Sequence, residues 1–178
     1  MCAQALVSVF GCTRVINTGV AGSLDNRIEI GDIVVSTDAV EHDMDVTPLG
    51  YAPGEHPDLP LVAFEADLGL RAAVVAAARG VDGVSVFEGR VCSGDQFIGS
   101  AAAKERIVST FGGMCCEMEG AAIAQAAWLN EVPFVVVRAI SDKPGAANQV
   151  VDYNTFEEKA AHDCAAIVGH MVANPLRA

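Results

Sequence analysis

The sequence is poor in basic residues, has no uninterrupted apolar run of membrane-spanning length, and carries no paired-cysteine motif. Lys and Arg number 11 against 23 Asp and Glu, for a net charge of -12. A surface that tracks phosphates needs the opposite sign, so no nucleic acid is expected as a partner. Without about 18 consecutive apolar residues, no helix spans a bilayer and no membrane is expected either. The six cysteines are Cys2, Cys12, Cys92, Cys115, Cys116 and Cys164. None forms a CxxC pair, and adjacent Cys115 and Cys116 cannot bridge each other without strain. Most sit among apolar or small residues, where a free thiol behaves as a small hydrophobe, and that usage suits a reducing, cytoplasmic location. Internal repeats, low-complexity tracts and linker-like shifts of composition are absent. So are a nucleophilic triad and a zinc motif, and no cofactor or metal is expected.

What is present describes a folded domain. The chain has 178 residues, of which 52% are hydrophobic and only 19% charged, which excludes intrinsic disorder. A chain of this length buries roughly 70% of its unfolded surface and forms one domain, residues 1–178. Its start, MCAQALVSVFGC, has no Lys or Arg before the apolar run, and Gln4 and Ser8 interrupt that run. A buried amphipathic helix over residues 1–10, closed by Gly11, is expected there rather than a signal peptide.

Residues 14–16 read as a strand running into a glycine-containing loop over 17–24, and residues 32–36 as a second strand. Residues 37–60 show no period and hold four prolines, two histidines and two glycines. Helical spacing over 64–79 puts Leu68, Ala72, Val75 and Ala76 on one face. Residues 84–92 alternate as a strand does. Helices are expected at 101–111, 119–130 and 154–172, with a short strand at 114–116 between the first two. PFVVVRAI, residues 133–140, is a nearly continuous apolar run, typical of a strand buried on both faces. The expected fold is α/β: a central mixed, largely parallel sheet flanked by helices. Ligands in such sheets bind where loops leave the carboxyl ends of strands.

Several residues at those ends could do chemistry. Glu117 and Glu119 of EMEG lie where a strand gives way to a helix. Glu119 either caps that helix or accepts both hydroxyls of a vicinal diol such as a ribose 2',3'-diol. Asp142, after Ser141, lies at the mouth of the sheet in a partly apolar setting that suits a general acid; the alternative is a cap on the loop Lys143-Pro144-Gly145. Arg138 is the one charge in its apolar run and needs a carboxylate partner, which Glu117, Glu119 or Asp142 could supply. Phe97 either stacks on a base or fills the core. His42, Asp43 and Asp45 are metal ligands by type, but their spacing fits no standard site and a solvated loop is expected. His162 and His170 are expected to face solvent.

Five strings in order, INTGVAGSL, GDIVVSTDAVEHDMDVTPLGY, VCSGDQFI, CEMEGAAIAQ, and PFVVVRAISDKPG followed by DYNTFEE, cover nearly the whole chain. Together they resemble the nucleoside phosphorylase/nucleosidase superfamily, and within it the 5'-methylthioadenosine/S-adenosylhomocysteine nucleosidases. That resemblance implies hydrolysis of an N-glycosidic bond in an adenine nucleoside. Asp142 would then protonate adenine at N7, with Ser141 orienting the carboxylate and Arg138 ordering the acidic cluster. Glu119 would hold the ribose hydroxyls, Met118 would pack under the sugar, and Glu117 would line the same wall. Phe97 would stack on the base, the backbone of Ile98 would read its edge, and Tyr153 would lie nearby. Val20, Ala21 and Gly22 of the glycine loop would complete the substrate site. Val46, Leu49 and Pro57 would close a partner subunit's pocket for the 5' substituent, which implies a homodimer with shared sites. Asn17 stands where some purine phosphorylases have an arginine, which favours water over phosphate as the nucleophile. The family begins with a strand and a loop whose glutamate activates the water. By resemblance this chain opens inside the helix that precedes INTG, so a segment on the order of fifty residues, more than one βαβ unit, would lie before Met1. Little or no turnover is expected without that glutamate, which contributes about 10²–10⁴-fold.

Overall fold

The computed structural model describes residues 1–173. Six strands run in chain order as β1 (Val15–Ser23), β2 (Ile33–Glu41), β3 (Ala63–Glu65), β4 (Val86–Ser93), β5 (Cys115–Glu117) and β6 (Phe134–Asp142). Five helices surround them: α1 (Cys2–Ser8), α2 (Leu68–Ala78), α3 (Ala101–Phe111), α4 (Gly120–Leu129) and α5 (Gln149–Ala173). The strand order is β3-β2-β4-β5-β1-β6, and β6 returns to pair with β2, so five strands close into a ring. The long ladders, β1–β6 and β2–β4, are parallel, whereas the antiparallel pairings of β2–β3, β2–β6 and β1–β5 are short. This is a mixed sheet with helices packed around it. Every residue of β6 is buried, as its apolar run requires of a strand covered on both faces.

The main core joins Val34 and Val35 of β2 and Val135 to Val137 of β6 with Leu70 and Val74 of α2 and Ile167 of α5. Local caps set the helix starts. Asp67 accepts a hydrogen bond from Leu70 N at 2.8 Å, so α2 begins at Leu68 rather than at residue 64. The stripe it buries is Leu70, Val74, Val75, Ala77 and Ala78, and Leu68 is exposed, which corrects the face expected from spacing alone.

Four further differences have tertiary causes. Residues 17–23, read as a loop, belong to β1, because the parallel ladder with β6 gives Asn17, Thr18 and Gly19 strand partners in Val136, Val137 and Arg138. β2 continues to Glu41 past a bulge between Ser36 and Ala39, held by β4 and by the short β3. The last helix starts at Gln149, five residues before the expected start at 154. The first helix forms but is not buried: α1 has no buried residue, and Val9 and Phe10 beyond it are exposed. Gln4 donates to Ser8 Oγ at 2.6 Å within α1 and exchanges a pair of side-chain hydrogen bonds with Asn130, at the end of α4. Among the described residues no helix is long and apolar enough to cross a membrane.

Candidate active site

The carboxyl ends of β1, β4, β5 and β6 meet in one place. Gly22 of β1 is in register with Asp142 of β6 and with Cys116 of β5, and Ser93 of β4 is in register with Glu117 of β5. A cavity of about 130 Å³ opens there, lined by Val20, Ala21, Gly22, Phe97, Ile98, Glu117, Met118, Glu119, Ser141, Asp142 and Tyr153. Every one of these was expected at the site from sequence. Gln96, Cys116 and Pro144 also line the cavity, and nothing in their local sequence distinguishes them.

Glu117 is the most heavily bonded of the carboxylates. It pairs with the Arg138 guanidinium, accepts the Ser93 hydroxyl, and takes Gly120 N at 2.8 Å and Glu119 N at 3.2 Å. Ser93 Oγ in turn accepts Ala121 N at 2.7 Å. Glu117 therefore caps α4, a task the sequence left open for Glu119. Glu119 itself makes no side-chain cap bond, its side chain is 63% exposed, and it lies 3.6 Å from Arg138. Its carboxylate oxygens remain available to a ligand in the cavity.

Arg138 does not line the cavity but lies beneath it, with Nη2 on Glu117 and donating to Asn17 Oδ1 at 2.6 Å. The ladder puts Arg138 beside Gly19, and a Cβ there would run into the guanidinium. Gly19 thus makes room for a side chain of the neighbouring strand rather than for a ligand. Similarly, a Cβ on Gly22 would stand 2.8 Å from Pro144 Cγ and 3.1 Å from Asp142 Oδ2.

Asp142 is 2% exposed. Ser141 Oγ donates to its Oδ1 at 2.7 Å, and Gln149 Nε2 donates to its Oδ2 at 2.8 Å. The pair Ser141-Asp142 is thus one unit in which the serine fixes the carboxylate rotamer. Phe97 and Tyr153 meet edge to face across the mouth, with centroids 6.0 Å apart and planes at 89°. Phe97 is 52% exposed, so it does not fill the core. Burial first, then the carboxylates of Glu157, Asp142 and Glu119, push the Tyr153 phenol above its ordinary pKa, keeping it a neutral donor.

Val46, Leu49 and Pro57 stand apart. Val46 precedes and Leu49 ends a 3-10 turn at Thr47–Leu49, and Pro57 follows in the irregular segment beyond it; none lies in the cavity wall of this chain, and Leu49 is exposed. His42 departs from the solvated loop expected for it. It follows directly on β2 and is enclosed, 2% exposed, with neither ring nitrogen bonded among the described residues. Asp43 and Asp45 accept from backbone amides instead, Asp43 from the distant Asp95 N at 2.7 Å and Asp45 from Thr47 N at 3.0 Å. His162 and His170 lie on the exposed side of α5.

Comparison with known proteins gives the family of the chain. The family model described as the phosphorylase superfamily matches residues 1–173. The 5'-methylthioadenosine/S-adenosylhomocysteine nucleosidase of Treponema pallidum is 41% identical over 183 residues, covering 90% of this chain and 68% of the relative. The crystal structure of the Helicobacter pylori nucleosidase of the same name, with butyl-thio-DADMe-Immucillin-A, superimposes with a TM-score of 0.91 at 33% identity. That likeness covers 97% of this chain and 73% of the other. The futalosine hydrolase of the same organism gives a TM-score of 0.91 at 32% identity, with coverage of 97% and 73%.

Proposed function

The chain belongs to the phosphorylase superfamily and, within it, to the 5'-methylthioadenosine/S-adenosylhomocysteine nucleosidases, and we propose that its substrate is a 5'-thio-substituted adenosine whose N-glycosidic bond it hydrolyses. The observation that carries this reading is the division of labour among three carboxylates. Glu117 is consumed by Arg138, Ser93 and the start of α4, while Asp142 and Glu119 both face the cavity.

Base departure needs a proton on the purine and leaves positive charge on the ribose. Asp142, held by Ser141, delivers the proton to N7, so the base leaves as a neutral molecule. Glu119 accepts the two ribose hydroxyls and places negative charge beside the oxocarbenium-like transition state. Phe97 and Tyr153 cover the base, the Ile98 backbone reads its edge, and Met118 packs under the sugar. Val20, Ala21 and Gly22 form the facing wall. Water rather than phosphate as the nucleophile is supported by Asn17, whose side chain is bonded to Arg138 and supplies no cation.

The apolar surface at Val46, Leu49 and Pro57 supports a homodimer in which these residues close the partner's pocket around the 5' substituent. Its free, buried thiols support a reducing, cytoplasmic setting.

The test is adenine release by the 178-residue protein from 5'-methylthioadenosine and S-adenosylhomocysteine, with and without phosphate, followed by chromatography. Phosphate-independent release that Asp142→Asn abolishes is expected. Strict dependence on phosphate would reassign the chain to phosphorolysis. Sedimentation of the same protein reads the dimer.

A further inference from the structure

Asp142 Oδ2 and the Ile98 carbonyl oxygen share a single donor. Gln149 Nε2 stands 2.8 Å from each, and Gln149 Oε1 accepts Gly145 N at 3.0 Å. Gln149 is 5% exposed, so this amide is enclosed together with its two acceptors. Both acceptors belong to residues that line the cavity. An NH₂ group that donates one hydrogen to a carboxylate and the other to a carbonyl has a direct chemical counterpart, the exocyclic amine of an aminopurine. A 6-oxo purine would instead set an acceptor against two acceptors.

We infer that the Gln149 amide occupies the position of the base's exocyclic amine, and that binding of an aminopurine displaces it. The inference rests on the adenine-nucleoside reading of the cavity and adds a residue that sets its affinity. Two observations converge on it. The hydrogen bonds match the ligand's donors one for one. Gln149 is also the first residue of α5, so its withdrawal disturbs one helical turn and the loop before it rather than the sheet. In that loop Gly145, at φ +83°, approaches Ala101 so closely that a Cβ would stand 2.7 Å from its backbone nitrogen.

Displacement lowers the apparent affinity by the fraction of molecules whose amide is already withdrawn. Loss of two ordinary hydrogen bonds corresponds to roughly a tenfold change in binding. Titration calorimetry with adenine and hypoxanthine on the wild type, Gln149→Ala and Gln149→Met tests this. Both variants are expected to bind adenine about tenfold more tightly than the wild type, since neither carries the competing NH₂. Methionine keeps the length of the side chain, so it reports even if the alanine variant loosens α5. Binding of adenine by the wild type with unchanged or weaker binding by both variants would overturn this inference alone, leaving Gln149 as a residue that holds Asp142 in place. Absence of adenine binding in the wild type and in variants shown by circular dichroism to be folded would overturn the nucleoside reading and this inference with it. A crystal structure of the adenine complex supplies the direct view: Gln149 Nε2 still on Asp142 and Ile98 contradicts the displacement.

Discussion

The Glu117 carboxylate and the Arg138 guanidinium form an ion pair in which each side chain is 2% exposed. It ties the end of β5 to β6 directly below the ligand cavity. Buried charges are tolerated only when their remaining hydrogen-bonding capacity is met. Glu117 meets that condition through Ser93, Gly120 N and Glu119 N, and Arg138 through Asn17, although its Nε has no partner among the described residues. The pair separates two tasks that a pattern of neighbouring glutamates leaves mixed: one holds the floor and the other faces the open cavity.

Arg138→Met leaves Glu117 charged and buried. A loss of about 3–5 kcal/mol in urea unfolding is expected. Adding Glu117→Gln to that variant should recover part of the loss, because a neutral amide oxygen still accepts from Ser93 and Gly120. A double variant no more stable than the single one would contradict this account.

Glu119→Ala should leave stability within about 0.5 kcal/mol, since its side chain neither caps α4 nor is enclosed. Nucleoside binding should weaken by about 1.5–3 kcal/mol, the range for hydrogen bonds to a charged group. Binding of free adenine, which has no ribose, should not change. Calorimetry with the two ligands separates these outcomes, and equal losses for both would place Glu119 elsewhere.

His42 gives stability a pH dependence of defined sign. Burial is the largest influence and holds the imidazole below its ordinary pKa; Arg106 acts in the same direction, while Asp43 and Glu117 oppose it. The folded state therefore favours the neutral ring, and the unfolded chain binds the extra proton first. Stability is full above about pH 6.5 and falls as the pH drops below that value toward the folded one. Urea unfolding at pH 7.5 and pH 5 should show the loss, and His42→Phe should reduce it. An identical slope in that variant would assign the effect to other groups.

Thiol reactivity should divide by burial. Cys92 and Cys116 are pushed up to about 12 by desolvation, and Cys115 and Cys164 are raised for the same reason. A chromogenic thiol reagent at neutral pH should label exposed Cys2 and partly exposed Cys12 quickly, and the other four only after unfolding. Rapid modification of Cys116 would show that the cavity wall opens more readily than its packing implies.

Much of the site was legible in sequence because strand ends and short motifs are local. The helix at residues 101–111 was placed to the residue: Ser100 caps it by accepting Ala103 N at 3.2 Å, and Gly112 ends it in the left-handed region at φ 68°. Asp142, Ser141, Glu119 and Phe97 were recognisable by position after apolar strands. β1 was not, because Asn, Thr and Gly read as a loop until β6 supplies a ladder across more than a hundred residues of chain. Nor was the burial of His42, whose setting depends on Gly94 coming close to its ring.

By itself, then, the sequence determined the set of chemical groups: a buried strand ending in Ser141-Asp142, two glutamates at a strand-to-helix junction, and an aromatic residue beside Ile98. Only the tertiary structure decided how they divide the work. Glu117 rather than Glu119 caps α4 because β5 brings it alongside Ser93 and over Arg138. Gln149 meets Ile98 because the start of α5 folds back on the loop after β4, a pairing across 51 residues. Contacts of that range depend on which surfaces the core brings together, and no local spacing encodes them.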